Sequence, residues 1–279
     1  MVKSLSKLFF SVLVMGITLL IIGCSVDLLG LFGSNDVDER LKEKDQFRYL
    51  NGNERTPPSL PDDFDFIVLA DTHVEGDITD LKKIKTVLDN DVTGNIKFMT
   101  ILGDITQTGV KEDITEVMNF TRTLPVPCYP VIGNHDIYFG NWSSGWKEYI
   151  GSTRYKIEGG DITLLVLDSA NAFMGKEQID WLEKQLKTAK KNVFVLTHSD
   201  FFVQDKIKIQ QLYDPAERAR IMSMLRDKCD IVLTGHSHER VEKEFGDVKF
   251  ISIEDYKSTQ TYCLVKVTPS GVSYEFKKL

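Results

Sequence analysis

At 279 residues, 42% hydrophobic and 27% charged, the chain can bury one large core or two small ones, which excludes a disordered or fibrous protein. The formal net charge of −7 argues against a broad nucleic-acid-binding face, because such a face needs clustered Lys and Arg to displace condensed counterions.

The chain opens with Lys3 and Lys7 ahead of an apolar run at residues 8–22, which stops at Gly23 and Cys24. A basic start, a short hydrophobic stretch and a small residue before polar sequence form the pattern of a secretory signal peptide. The run is shorter than the about 20 apolar residues that span a bilayer comfortably. Its end, IIGC at residues 21–24, resembles the lipobox of bacterial lipoproteins. That resemblance implies removal of residues 1–23 and lipidation of Cys24, which would hold the protein on the outer, extracytoplasmic face of a membrane of the cell envelope; several acyl chains on one residue suffice for stable anchoring. Loss of Lys3 and Lys7 leaves 32 basic against 41 acidic side chains, a net charge of −9.

Residues 24–63 read as a polar tether. From residue 34 onward this stretch is charged and turn-rich without a sustained period, with room for a short helix near residues 37–48. With Cys24 lipidated, Cys128, Cys229 and Cys263 permit one disulfide at most, so the core must hold together without a cystine framework.

From Phe64 to the end at residue 279 the pattern is that of a folded domain. Short apolar runs typical of buried strands fall at residues 64–70, 97–102, 128–132, 162–168, 192–197 and 230–234. Between them, Ile78, Leu81, Ile84 and Leu88 share one face of a helix over 78–90, and Ile179, Leu182 and Leu186 one face of a helix over 177–189. Pro215 is placed to open a third, running to Lys228. Alternating strand and helix predict an α/β domain with largely buried sheets, and the β-like runs of residues 248–279 are expected to finish the sheet as a meander.

The chain has five histidines, and every one sits at or just beyond the C-terminal end of an expected strand, the edge where open α/β sheets bind ligands. Asp71 and His73 follow the first strand, Asp104 the second, Asn134, His135 and Asp136 the third, His198 the fifth, and His236 and His238 the sixth. On extended chain, residues i and i+2 project to the same side, so Asp71 with His73 and His236 with His238 each offer a pair of ligands to one region. Gly103, Gly133 and Gly235 beside these positions let backbones crowd together. Carboxylates, an amide oxygen and imidazoles make a mixed nitrogen and oxygen set suited to Mn, Fe or Zn and ill suited to calcium. Each fragment is common alone; their conjunction at five strand ends is the signal.

The ordered set D-x-H, GD, GNHD, a lone His and GHxH resembles the calcineurin-like metallophosphoesterases over about residues 64–265, with LDS at 167–169 and QIDWLEKQL at 178–186 similar to further family features. The resemblance implies a four-layer αββα sandwich of two mixed β-sheets flanked by helices, with two divalent transition metals at the strand ends. Asp71, His73 and His238 would hold one metal, Asn134, His198 and His236 the other, and Asp104 would bridge them. His135 would not ligate but would face the scissile phosphate as general acid or transition-state stabiliser, with Asp136 beside it as the second catalytic candidate. The implied reaction is hydrolysis of a phosphomonoester or phosphodiester of small-molecule or nucleotide type, by a metal-bridging hydroxide between ions about 3.5 to 4 Å apart. Gln107 stands where purple acid phosphatases have a tyrosine ligand and protein serine/threonine phosphatases an aspartate, and the phosphoprotein phosphatase forms GDxxDRG and GNHE are absent. The aromatic segment 138–151 either caps the site and stacks on a substrate or packs back on the domain through Trp142 and Trp146. Two alternatives remain at this point: a metallo-nuclease, which the acidic charge disfavours, and a non-catalytic envelope lipoprotein, which predicts missing ligands where none is missing.

Overall fold

The computed structural model describes residues 37–42, 48–49, 53–54, 60–202 and 211–279. The apolar run at residues 8–22, Cys24 and most of the expected tether lie outside the described residues, and among those described no helix is long and apolar enough to cross a membrane.

A helical turn, α1 (Val37–Arg40), and the short paired strands β1 (Arg48–Tyr49) and β2 (Asn53–Glu54) precede the domain. Next, β3 (Phe64–Leu69), β4 (Ile96–Leu102) and β5 (Cys128–Val131) alternate with α2 (Thr79–Lys82), α3 (Ile84–Asp89) and α4 (Lys111–Arg122). Then come α5 (Trp146–Tyr149), β6 (Tyr155–Gly159), β7 (Ile162–Val166), α6 (Lys176–Leu186), β8 (Asn192–Leu196), α7 (Pro215–Leu225) and β9 (Ile231–Thr234). The chain ends with β10 (Val241–Phe245), β11 (Val248–Ser252), α8 (Tyr256–Thr259), β12 (Thr261–Thr268) and β13 (Gly271–Lys278).

These strands make two mixed sheets, one in the order β13-β12-β3-β4-β5 and the other β10-β11-β9-β8-β7-β6. In the first, β3, β4 and β5 are parallel while β12 and β13 run against them. In the second, β7, β8, β9 and β11 are parallel, with β6 and β10 antiparallel at the edges. The period of two along a strand sorts the core. In β8, Phe194 and Leu196 turn toward the first sheet, where Phe194 meets Phe66 edge-on at 5.6 Å. Val193 and Val195 turn the other way, onto Ile179, Leu182 and Leu186 of α6 and Ile221 and Leu225 of α7. On the far side of the first sheet, Ile78, Leu81, Ile84 and Leu88 bury the face that their spacing predicts, together with Ile114, Val117 and Met118 of α4. The result is helix, sheet, sheet, helix: the expected four-layer αββα sandwich.

Four readings need correction. The helix over 78–90 is split at Lys83, where Lys83 N–H bonds back to Asp80 and Thr86 N–H to Lys83, a three-residue closure that tightens the helix without turning its buried face. The C-terminal runs are not one meander: β11 joins the second sheet beside β9, while β12 and β13 complete the first. The helix opened by Pro215 forms under an Asp214 cap that accepts from Ala216 and Glu217 N–H, but ends at Leu225. Cys128, Cys229 and Cys263 are all buried, and among the described residues none of them is in a disulfide.

The fourth correction concerns the tether. Within it, Val37 and Leu41 are buried and Arg40 is fully enclosed, its Nε 2.7 Å from Asp168 Oδ2 and its Nη2 2.8 Å from Asp168 Oδ1. Residues 37–42 are therefore packed onto the domain. A charge-rich stretch reads as solvated chain, but a bidentate arginine–carboxylate pair can be buried because each charge satisfies the other.

Candidate metal centre

The two sheets present their C-terminal strand ends to one region. Asp71 and His73 follow β3, Asp104 follows β4, and Asn134 and His135 follow β5, all from the first sheet; His198 follows β8, and His236 and His238 follow β9, from the second. The ligand pairs do not arise from extended chain, as the i, i+2 argument supposed. Asp71, His73, Asp104, His236 and His238 have φ of 53°, 40°, 48°, 68° and 57°, the left-handed region that non-glycine residues avoid. The strands have ended, and the chain turns each side chain inward at a conformational cost of about 1 to 3 kcal/mol per residue, which the surrounding packing sustains.

Ligand atoms of Asp71, His73 and His238 lie within 4.8 Å of one another, as do those of Asp104, His198 and His236, and those of His73, Asp104 and His135. The imidazole nitrogens of His73 and His238 approach to 3.2 Å, and His198 Nε2 stands 3.3 Å from Asp104 Oδ2 and 3.0 Å from Asn134 Oδ1. The structure thus gathers all seven candidate ligands, with Asp104 between the two groups. Glycine permits that density: a Cβ on Gly133 would lie 2.2 Å from Asp104 Oδ1, and one on Gly103 2.3 Å from His198 Nδ1.

The electrostatics fit a cation. Asp71 Oδ1 is buried without a hydrogen bond, nearest to His238 at 3.5 Å and His73 at 3.9 Å, an orphaned acceptor that a positive ion would satisfy. Burial opposes the charge of Asp104, yet His198, His135 and His73 around it hold its carboxyl far below the usual range. Burial likewise opposes a charge on His198, but Asp104 carries it up to about 9. Close contact with the Asp71 carboxylate raises His238, whereas burial wins at His73 and lowers it. Two enclosed carboxylates that raise His198 and His238 make a region that favours positive charge, and a bound cation would displace those protons and use the neutral imidazoles as donors.

His135 is held differently. Its Nδ1 stands 2.7 Å from the Gln107 carbonyl oxygen, so that nitrogen carries hydrogen and donates it, leaving Nε2 to face the cluster at 4.0 Å from Asp104 Oδ2. Gln107 therefore acts through its backbone, a contribution that no side-chain pattern announces. The Tyr138 ring packs on His135 at 4.3 Å, and its hydroxyl accepts from Asn134 Nδ2 at 2.7 Å, which turns the Asn134 oxygen toward His198.

Asp136, the second catalytic candidate, lies outside the cluster. It is fully buried and accepts from the N–H groups of Thr106, Gly133 and Ile105 and from the Thr106 hydroxyl, tying the loop after β4 to the loop after β5. Burial and the nearby Asp104 carboxylate push its carboxyl up, and it belongs to none of the three ligand groups. The LDS stretch carries a resemblance but no stated role; in the structure the Ser169 hydroxyl oxygen accepts from the N–H groups of His198 and Ser199 and so fixes the loop that presents His198.

A family model described as "Calcineurin-like phosphoesterase" matches residues 64–240. A comparison with curated proteins returned no match. Among solved structures, a dimetal phosphatase from Danio rerio is 13% identical, covering 77% of this chain and 96% of that one with a TM-score of 0.62. GAP50, the anchor in the inner membrane complex of Plasmodium, is 14% identical over 78% of this chain and 85% of its own, with a TM-score of 0.58. A purple acid phosphatase from seeds of yellow lupin, Lupinus luteus, is 12% identical over 81% of this chain and 53% of its own, with a TM-score of 0.59. At such identities the likeness concerns the fold.

Proposed function

Because the chain belongs to the calcineurin-like phosphoesterase family, we propose that it is a dinuclear-metal phosphoesterase that hydrolyses a small phosphomonoester or phosphodiester. The observation that carries this reading is the convergence of Asp71, His73 and His238 with Asp104, His198 and His236 at the ends of both sheets. In it, Asp71, His73 and His238 would hold one ion and Asn134, His198 and His236 the second, with Asp104 placed to serve both. Two divalent ions, when bound, supply Lewis acidity toward phosphate oxygens and an activated water. The remaining work falls to the protein. His135, oriented by the Gln107 carbonyl through Nδ1–H, presents Nε2 to the leaving oxygen, and with Nε2 also protonated the imidazolium gives that proton to it and returns to the neutral ring. Asp136 enters only as the brace between two loops that carry Asp104 and Asn134. The signal-like run at residues 8–22 and the IIGC sequence support a place on the outer face of a bacterial membrane, through lipid on Cys24.

Protein lacking residues 1–24, and so retaining Arg40, is expected to cleave para-nitrophenyl phosphate or its bis-ester when loaded with Mn²⁺. The ratio of the two rates assigns it as monoesterase or diesterase. Protein that binds two metal ions yet turns over neither ester would contradict a hydrolase and favour an architectural or binding role for the same fold.

A further inference from the structure

The aromatic segment after GNHD divides into two parts. Trp142 and Trp146 are buried, at 2% and 0% exposure, and pin the segment to the domain. Asn141 adds to this, donating through Nδ2 to the Thr108 carbonyl. Phe139, by contrast, is 74% exposed.

Its backbone is as unusual as its exposure. Asn141 N–H bonds back to the Tyr138 carbonyl, closing a four-residue turn whose central residues Phe139 and Gly140 have φ of 56° and 82°. Positive φ at both central positions selects Gly, Asn or Asp at the first of them, and a bulky ring there is strained. A strained backbone holding a large apolar ring in water has no folding rationale. Such outliers concentrate where a ligand uses them.

The ring's position suggests the use. Tyr138 lies 4.3 Å from the His135 ring and 6.0 Å from the Phe139 ring, so Tyr138 links the proton donor of the reaction to the exposed phenyl. In the reading above the leaving oxygen takes its proton from His135, so the group it carries departs on the His135 side of the cluster. Phe139 continues that series of ring contacts one ring beyond the proton donor.

Resting on the phosphoesterase reading above, we propose that Tyr138 and Phe139 form a stacking subsite for leaving groups that bear a planar aromatic ring, with Phe139 determining that preference. Stacking on a protein aromatic tolerates many rings because each has a π-face, so the subsite selects a class of substrate rather than one compound.

The test compares kcat/KM of the Mn²⁺-loaded protein and its Phe139→Leu variant on phenyl phosphate, a nucleoside 5′-monophosphate and glycerol phosphate. For a diesterase, the methyl diesters of the same alcohols serve. Leucine keeps apolar bulk and removes the ring; Phe139→Ala is the second variant. The proposal predicts that each substitution lowers kcat/KM on at least one aromatic substrate about tenfold more than on the glycerol ester, chiefly through KM. A larger effect on phenyl phosphate places the ring against the phosphoryl oxygen, and a larger effect on the nucleotide places it a sugar's length away. Equal factors on all three substrates would overturn the subsite and leave the hydrolase reading intact. No turnover of any of them by the metal-loaded wild type would overturn both.

Discussion

Replacing His135 with alanine lowers kcat by about 10²- to 10⁴-fold, the range that a positioned general acid contributes, and leaves metal content at the wild-type value. The distinction follows from geometry. His135 Nδ1 is committed to the Gln107 carbonyl, its ring is packed between Tyr138 and His73, and Nε2 lies 4.0 Å from Asp104 on the more open side of the cluster. The side chain is 23% exposed where those of His198 and Asp104 are 0% and 2% exposed, which suits a group that meets substrate. Steady-state kinetics with metal analysis of the same preparation checks the prediction. Loss of one metal equivalent in the variant would make His135 a ligand, as its place in one of the three ligand groups would then require. An unchanged rate would remove it from the chemistry.

The second large effect lies far from the chemistry. Arg40→Met is expected to lower the free energy of unfolding by about 3 to 5 kcal/mol, because it strands the Asp168 carboxylate in a fully buried position where, among the described residues, the Ala170 N–H is the one remaining partner for its oxygens. The consequence reaches the site through adjacent residues: Asp168 precedes Ser169, whose hydroxyl holds the backbone of His198. Neutralising the stranded acid as well, in Arg40→Met/Asp168→Asn, should recover part of the loss, since the two residues share one interaction. Urea titration with linear extrapolation measures both. A loss of less than about 1 kcal/mol, the range of surface ion pairs, would return residues 37–42 to the tether.

The legibility of the molecule in its sequence follows from which interactions leave a local trace. The candidate ligands are legible because each follows an apolar run and three of them, Asp104, Asn134 and His236, stand beside glycine, so strand end, turn and donor type are written within a few residues. Their left-handed backbone is not, since Asp71 and His73 spell D-x-H whether the chain is extended or turned. Strand β10, at one edge of the second sheet, escaped notice for a different reason. VEKEF of β10 is almost wholly exposed and carries no apolar alternation, and its pairing with β11 supplies what its composition lacks. The pair of Arg40 and Asp168 joins positions 128 apart in the chain, and no spacing rule spans that distance. Gln107 and Ser169 stand in stretches that the sequence marks, but they work through a carbonyl oxygen and a hydroxyl that many residues could supply, so neither role declared itself. Asp136 shows the converse: a carboxylate next to His135 in sequence invites a catalytic role, while its four hydrogen bonds make it a structural brace.

The central claim is that two cations share the cluster and that Asp104 joins them. Its most direct test is anomalous scattering from crystals of protein grown with Mn²⁺, with Asp104→Asn treated in parallel. The account predicts two peaks about 3.5 to 4 Å apart in the wild type, one beside Asp71, His73 and His238 and one beside Asn134, His198 and His236, and at least one peak lost in the variant. A single peak, or two that survive undiminished in Asp104→Asn, would contradict it.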